Sequence, residues 1–216
     1  MGYYAAFLDL SGRRCLVVGG GEPAEEKALG LLSAEASVTV VWDNFNPGLS
    51  RLGAEGRVEL VPRRFQEVDL DGCLLAVDAS QDDATGAEVA RAARARGVLV
   101  NVLDRPDRCD FIAPAIVRRG PLQVAISTAG RSPFLAAHLR QRLEGLVGPE
   151  WGELTELVGR LRDRLRAEGM PLEEQNRVYA RIPESGALEM LRAGDIAAAR
   201  RAMEGLLRNS TQELSP

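Results

Sequence analysis

The sequence predicts an α/β fold in which a parallel sheet is followed by a hairpin-plus-helix region and then by an all-helical C-terminal domain. Apolar runs alternate with helical patterns up to about residue 110, which is typical of a sheet built from β-α-β units. Two strand-like runs then stand close together, at residues 111–117 and 122–127, and predict a hairpin. Beyond residue 133 we find helical patterns and no further strand signal.

Each element is predicted from a local pattern of residues. Apolar and β-branched runs predict strands at residues 7–10, 15–18, 38–42, 58–61, 74–77 and 98–102. The spacing of apolar residues predicts helices at residues 24–32 and 82–96, and Gly97 is placed to end the second of these. Ser132 and Pro133 predict the start of a helix that runs to about residue 146. Further helices are predicted at residues 150–167, 172–180, 185–192 and 195–207.

The turn after the strand at residues 15–18 contains the pattern G-x-G-x-x-A, formed by Gly19, Gly21 and Ala24. In a Rossmann unit these residue types allow a tight turn, close approach of a dinucleotide pyrophosphate, and close packing of the helix on the strand. The amino terminus of the helix offers N–H groups and a partial positive charge to the phosphates. The pattern therefore predicts a Rossmann-type sheet that binds a dinucleotide.

An acidic residue, Asp43, follows the next predicted strand at about the distance from the glycines that this fold requires. We expect its carboxylate to bind the adenosine ribose hydroxyls. Because a carboxylate repels a 2′-phosphate, Asp43 favours NAD over NADP. The alternative interpretation is a glycine turn with an unrelated surface aspartate.

Composition excludes several classes of protein. With 45% hydrophobic and 27% charged residues, the chain has the balance of an ordinary globular protein, and its formal charge of −4 gives no general reason to expect nucleic acid binding. No apolar run is long enough to span a bilayer, and the amino terminus lacks the pattern of a signal peptide. Three widely spaced cysteines are interpreted as small buried residues in a reducing compartment, so we predict a cytoplasmic protein without membrane partners.

Asp104 is the candidate catalytic residue. It follows the strand predicted at residues 98–102, and the carboxyl ends of parallel strands border the dinucleotide crevice. A carboxylate placed there can act as a general base. The alternative interpretation is a turn residue before Pro106.

The loop at residues 127–133 is a candidate anion site. It combines hydroxyl side chains, the flexible Gly130 and the amino terminus of a predicted helix, and Arg131 adds a planar fork that suits a carboxylate. Ordinary helix capping by Ser132 also explains the loop, and the two interpretations are compatible.

No resident metal is expected. His138 is the only histidine and lies within a helical pattern, where a surface or interface role is expected. The sequence contains neither C-x-x-C nor H-E-x-x-H.

Four segments occur in an order that resembles a known family. They are residues 19–28 (GGGEPAEEKA), 101–104 (NVLD), 111–115 (FIAPA) and 124–133 (VAISTAGRSP). Together they resemble the precorrin-2 dehydrogenase / sirohydrochlorin ferrochelatase module of siroheme synthase, over about residues 5–145. Thr128 departs from some members, which carry serine there, but it keeps the hydroxyl.

The resemblance implies three regions and a reaction. The regions are an NAD-binding domain at residues 1–112, a central dimerisation region at 113–147 and a helical C-terminal domain at 148–216. The reaction is NAD-dependent oxidation of precorrin-2 to sirohydrochlorin in a homodimer, followed in some members by insertion of ferrous iron as a substrate to give siroheme. The alternatives are a dehydrogenase that works with a separate chelatase, and a non-catalytic NAD-sensing module.

The resemblance also implies site residues. The catalytic aspartate maps onto Asp104, and the loop at residues 127–131 is the candidate substrate site through Ser127, Thr128, Gly130 and Arg131. Besides Gly19, the dinucleotide contacts are expected at Gly21, Glu22, Pro23, Asp43, Asn44, Ser80 and Val102.

Overall fold

The computed structural model describes residues 2–212 of the 216-residue chain. The chain divides into two compact units, Met1–Ala113 and Pro114–Pro216. The first unit holds the parallel sheet, and the second holds the hairpin and the helices that follow it. A further division at residues 147/148 stays a prediction.

The first unit is a five-stranded parallel sheet with helices between the strands, which confirms the predicted Rossmann-type class. The strands lie side by side in the order β3-β2-β1-β4-β5, so the chain builds the sheet outward from β1 to β3 and then continues on the other side of β1 with β4. Sheets of this kind open a ligand crevice at the carboxyl ends of the strands where the order switches, here between β1 and β4. The elements are β1 (Arg14–Val18), α1 (Glu22–Leu32), β2 (Ser37–Val41), α2 (Pro47–Ala54), β3 (Glu59–Val61), β4 (Leu75–Asp78), α3 (Asp83–Ala95) and β5 (Leu99–Val102).

Burial of both faces explains why the central strands are continuously apolar. Along β1, Cys15 and Val17 belong to one core cluster while Leu16 and Val18 belong to another, and all four are fully buried. Alternate residues point to opposite faces of a strand, so each face has its own helical cover. This packing aligns the strand ends, and Val18 pairs with both Val41 and Asp78.

The second unit begins with an antiparallel hairpin, which confirms the hairpin prediction. Its strands are β6 (Ala115–Arg119) and β7 (Leu122–Ile126), and the turn uses Gly120 at φ +55°. The helices that follow are α4 (Pro133–Leu146), α5 (Pro149–Ala167), α6 (Leu172–Ala180), α7 (Ala187–Arg192) and α8 (Ile196–Gln212). Leucines on α5 at helical spacing form the buried centre of this unit, namely Leu157, Leu161 and Leu165.

The sequence prediction was wrong at three places. Residues 7–10 form no strand, because Phe7 and Leu8 are exposed and make no strand pairing. Residues 111–114, predicted as the start of a strand, precede the hairpin rather than belong to it. Helix α2 was not predicted, although Asn46 and Pro47 are a typical helix start and the Asn46 side chain accepts a hydrogen bond from the Leu49 N–H at 2.8 Å.

Within residues 2–212, no helix has both the length and the apolar character needed to cross a membrane. The same part of the chain contains no group of three metal-ligating side chains close enough to hold a metal ion. All three cysteines are free thiols.

Candidate dinucleotide and active site

The glycine turn joins β1 to α1 in a crowded environment. Gly19 has φ +138°, and a Cβ at this position would lie 2.8 Å from the Ala79 backbone. A Cβ on Gly20 would lie 1.8 Å from the Asn44 carbonyl oxygen. Both glycines are therefore required by neighbouring backbone, which fixes the path of the turn before any ligand binds.

Gly21 differs from its two neighbours because it faces open space. A Cβ there would meet nothing closer than the Pro23 ring at 3.6 Å. Gly21 is the N-cap of α1, and no side chain caps this terminus. Glu22 and Pro23 are the first two residues of the helix, so the backbone N–H groups of Glu22 and Ala24 are offered at this end. The open space at Gly21 and the free N–H groups at the amino terminus of α1 fit a pyrophosphate, and a side chain at Gly21 would occupy that space.

Asp43 and Asn44 lie just after β2, as predicted, and both are exposed. Asp43 forms an ion pair with the Nε of Arg64, whose guanidinium carbon lies 4.1 Å from the centre of the Trp42 ring. The Asn44 carbonyl packs against Gly20. The end of β2 thus carries an acid, as the sequence predicted, and a cation that could not be placed there from the sequence.

Asp104 lies two residues beyond β5 and is exposed. Its φ is +59°, in the left-handed region that side chains other than those of asparagine and aspartate rarely adopt. The Cys109 sulfur lies 3.2 Å from the Arg105 carbonyl oxygen and 3.3 Å from that of Val102, and so ties the loop back to the strand. Burial raises the pKa of the Cys109 thiol, which keeps it a neutral hydrogen-bond donor.

A cavity of about 220 Å³ opens at the carboxyl ends of β4 and β5. Asp104 lines it, together with Gln81, which has φ +60° and is a second left-handed residue. Strained backbone of this kind concentrates at functional sites. The other residues that line the cavity are Asp78, Asp82, Asp83, Val102, Leu103, Arg105 and Arg108.

Asp78 is a buried carboxyl in the lining of this cavity. It is the last residue of β4, and its Oδ1 accepts a hydrogen bond from the Ser80 N–H at 3.2 Å. Burial raises the pKa of Asp78, and the hydrogen bonds from Ser80 offset part of that effect. Val102 is buried at the end of β5, so it can meet a ligand only through its backbone or through a small part of its side chain.

The two arginines beside Asp104 are already engaged with a carboxylate. Arg105 forms an ion pair with Asp83, and the Arg108 guanidinium lies 3.0 Å from the same carboxylate. Arg105 also contacts Asp107 at 3.3 Å. In this structure Asp83 therefore neutralises part of the positive charge that these arginines could offer to an anionic substrate.

The hydroxyl-rich loop of the second unit is largely self-bonded. The Thr128 hydroxyl accepts from the Ser132 N–H and donates to its carbonyl oxygen, both at 3.0 Å. The Ser127 hydroxyl accepts from the Ala129 N–H, and Ser132 caps α4 by accepting from Leu135. Gly130 has φ +75°, and Arg131 is exposed. The capping interpretation is thus confirmed, while binding of an anion by this loop stays a prediction.

Some residues of the candidate site are important only because of tertiary packing, and they could not be identified from the sequence. Gln81, Asp78 and Arg64 carry no local signal, because their roles follow from burial or from a partner distant in sequence. Gly20 could have been found, because a third glycine in this turn already indicates a crowded backbone.

The fold and the glycine turn define a Rossmann-type dinucleotide-binding protein. Residues 6–115 match the family described as putative NAD(P)-binding, and residues 119–146 match the family described as sirohaem biosynthesis protein central. The chain therefore belongs to the NAD(P)-binding family, and its residues 119–146 are similar to the central region of sirohaem biosynthesis proteins.

Curated relatives and a solved structure are similar to most of this chain. The siroheme synthase of Chromobacterium violaceum is 40% identical over 94% of this chain, and that of Pseudomonas paraeruginosa is 42% identical over 94%. This chain spans only 43% and 44% of those two proteins. The structure of SirC, precorrin-2 dehydrogenase, matches with a TM-score of 0.77 and 24% identity, over 95% of this chain and 100% of that one, and supports the fold.

Proposed function

We propose that this protein oxidises precorrin-2 to sirohydrochlorin, with NAD as the hydride acceptor. The observation that carries the proposal is Asp104, an exposed carboxylate in a left-handed conformation beside the sheet crevice. The names of the relatives, siroheme synthase and precorrin-2 dehydrogenase, support the same reaction.

We infer that NAD lies along the carboxyl ends of β1, β2 and β4. Gly19 sets the path of the turn and Gly21 leaves room for the pyrophosphate. The first turn of α1 at Glu22 and Pro23 supplies its positive end, and Asp43 with Asn44 holds the adenosine ribose. Ser80 and Val102 border the nicotinamide end. When bound, the nicotinamide supplies the hydride acceptor, and the protein supplies orientation.

Asp104 is proposed to remove a proton. Oxidation of the tetrapyrrole removes the equivalent of one hydride and one proton from the ring system. A bound nicotinamide would take the hydride, and the Asp104 carboxylate accepts the proton. Asp104 has left-handed backbone and is one of the residues that line the cavity. The substrate carboxylates are proposed to meet Ser127, Thr128, Gly130 and Arg131.

Insertion of ferrous iron is a second proposed activity, favoured by relatives that carry the name siroheme synthase. The same carboxylate, Asp104, would accept protons from the pyrrole nitrogens as iron enters. Iron is a substrate in this step, and its nitrogen ligands come from the macrocycle.

The test is an anaerobic assay in which precorrin-2 is made by a separate methyltransferase and sirohydrochlorin is followed by absorbance. We expect NAD-dependent product from the wild type and a loss of at least about 100-fold in Asp104→Asn, the usual contribution of a general base. Asp163→Asn, which changes an exposed aspartate on α5, is the control. NAD binding with no turnover in the wild type would instead favour a sensing module.

Addition of ferrous iron to the same assay tests the chelatase. Siroheme formation faster than the rate without enzyme supports the second activity. A rate equal to that background would assign the protein to the dehydrogenase step alone.

We also propose that the protein is a cytoplasmic homodimer. Helix α4 exposes a set of large apolar side chains, which indicates a covered surface in solution; they are Phe134, Leu135, Leu139 and Leu146. The free thiols agree with a reducing compartment.

A further inference from the structure

Two consecutive arginines follow β3, and they have different surroundings. Arg63 donates hydrogen bonds to both carboxylate oxygens of Asp69, a buried residue of the 3₁₀ turn at Glu67–Leu70. Arg64 instead reaches across the carboxyl end of β2, where its Nε pairs with Asp43. Arg63 thus stabilises the fold through Asp69, while Arg64 pairs with Asp43, the acid that is expected to hold the adenosine ribose.

The guanidinium of Arg64 rests on a fixed aromatic platform. It lies 4.1 Å from the centre of the Trp42 ring, a distance at which a cation is attracted to the ring face. A Cβ on Gly20 would lie only 2.7 Å from the Cδ1 atom of that ring, so the indole is packed directly against the glycine turn. The position of Arg64 relative to the proposed pyrophosphate cradle is therefore set by contacts within the protein.

Arg64 is also accessible to a ligand. Its side chain is 59% exposed, and that of Asp43 is 40% exposed. Nε is used by Asp43, and the two Nη atoms carry four further N–H donors in one plane. A guanidinium fork of this kind is suited to the oxygens of a phosphate monoester.

We propose that Arg64 determines the dinucleotide specificity of this protein, so that the site accepts NADP as well as NAD. An unpartnered acid after β2 discriminates against NADP by repelling its 2′-phosphate. Here the acid is paired with a cation, and the Nη groups of that cation can bind the phosphate while Asp43 still accepts from a ribose hydroxyl of NAD. This inference rests on the proposed dinucleotide site and extends its ligands to the 2′-phosphorylated form.

The test measures binding rather than turnover, by isothermal titration of the full chain with NAD and with NADP. In the wild type we expect the two dissociation constants to agree within about tenfold, because one charge-assisted contact to the phosphate replaces one to the ribose. In Arg64→Gln we expect NADP affinity to fall by at least about tenfold while NAD affinity changes by less than about threefold. Arg57→Gln, an exposed arginine with one acidic neighbour in the same unit, is the matched control and should change neither.

A second variant should change NADP affinity in the opposite direction, so the proposal can still be tested if Arg64→Gln fails to fold. In Asp43→Asn the repelling charge is gone while Arg64 stays, so NADP should bind more tightly than to the wild type and NAD more weakly. NADP affinity more than tenfold below that of NAD in the wild type, or an unchanged NADP-to-NAD ratio in both variants, would overturn the assignment of Arg64. Failure of the wild type to bind either dinucleotide is a different result, and it would overturn the proposed cofactor site itself.

Discussion

Gly19 and Gly21 belong to one turn, but they are required for different reasons. Gly19 is required by the fold, since it has φ +138° and a Cβ would press on the Ala79 backbone at 2.8 Å. Gly21 has extended backbone, with φ −94° and ψ −171°, and open space around its Cα. We therefore propose that Gly21 is required by the pyrophosphate rather than by the fold.

Substitution separates these two roles. We expect Gly19→Ala to lower the free energy of unfolding by about 2 kcal/mol or more, the cost of a strained backbone together with a steric clash. Gly21→Leu should leave the free energy of unfolding within about 1 kcal/mol of the wild type, as surface substitutions do, while NAD binding is abolished. Urea denaturation measures the free energy of unfolding of both variants, and calorimetric titration measures NAD binding. Retained NAD affinity in Gly21→Leu would show that the pyrophosphate lies elsewhere.

Asp78 gives a prediction of pH dependence. Burial raises the pKa of this carboxyl in the folded protein, so the folded state binds the proton more readily than the unfolded chain does. The unfolding free energy contributed by Asp78 therefore falls as pH rises from about 4 through the raised pKa, and stays lower above it.

Replacing Asp78 with asparagine removes this charge and keeps an oxygen that can accept from the Ser80 N–H. We expect Asp78→Asn to be more stable than the wild type at pH 7, by on the order of 1 kcal/mol, and the gap to close by about pH 3. Urea denaturation of both proteins at pH 3, 5 and 7 measures the difference. A variant that is less stable at pH 7 would show that the ionised carboxylate supports the fold.

At this scale, the sequence predicted residues whose type and spacing are themselves the signal. Gly21, Asp43 and Asp104 follow strands at positions that the fold prescribes, so they could be identified before the structure. Asp78 and Arg64 could not, because a carboxyl becomes special only when burial removes its water, and an arginine only when folding supplies its partner.

Among the elements, α3 depends on a glycine for its approach to the sheet. A Cβ on Gly86 would lie 2.8 Å from the Asp78 Oδ2 atom and 3.0 Å from the Val102 Cγ1 atom. The small residue lets the helix pack closely on the ends of β4 and β5, which also form the wall of the cavity. The dimensions of the candidate site therefore depend on how closely this helix approaches.

Two glycine-to-alanine changes in helices of the first unit should have opposite effects. Gly86→Ala should lower the free energy of unfolding by about 1–3 kcal/mol, the usual cost of overpacking, and should reduce turnover by shifting the cavity wall. A Cβ on Gly30 in α1 would have no atom within 4 Å, so Gly30→Ala should raise the free energy of unfolding by about 0.5–1 kcal/mol through helix propensity. Urea denaturation and the anaerobic assay measure both. Equal changes in the free energy of unfolding for the two variants would show that Gly86 is not required for close packing of α3 on the sheet.

Most elements were predictable because their periodicity reflects burial. The strands β1, β2 and β4, which are buried except for Arg14 and Ser37 at the starts of the first two, appear as largely apolar runs. Helix α3 follows helical spacing between its Asp82 cap and Gly97. The strand predicted at residues 7–10 failed because an apolar run becomes a strand only if another strand pairs with it. Helix α2 was missed because it is only eight residues long and has few apolar positions.

At the scale of the whole molecule, each unit has its own hydrophobic core. The sheet of the first unit separates two clusters, and a third cluster joins α5, α6, α7 and α8 in the second. The change of pattern near residue 110 marked the start of the second unit, because β-α-β alternation ends where the parallel sheet ends. The sequence carried no comparable signal for association between chains, since an exposed apolar face can be recognised only when the packing around it is known.

The exposed apolar side chains of α4 lead to a prediction about the oligomeric state. Phe134 is 83% exposed and Leu146 71%, and a monomer gains nothing from leaving such side chains in water. We expect sedimentation equilibrium to give a dimer mass, and Leu135→Glu to shift the protein towards monomer, because burying an unpaired carboxylate in an apolar interface is costly. Leu172→Glu changes a leucine that is 70% exposed on α6 and is the matched control, expected to leave the mass unchanged. A wild type that sediments as a monomer would assign the exposed face of α4 to another contact.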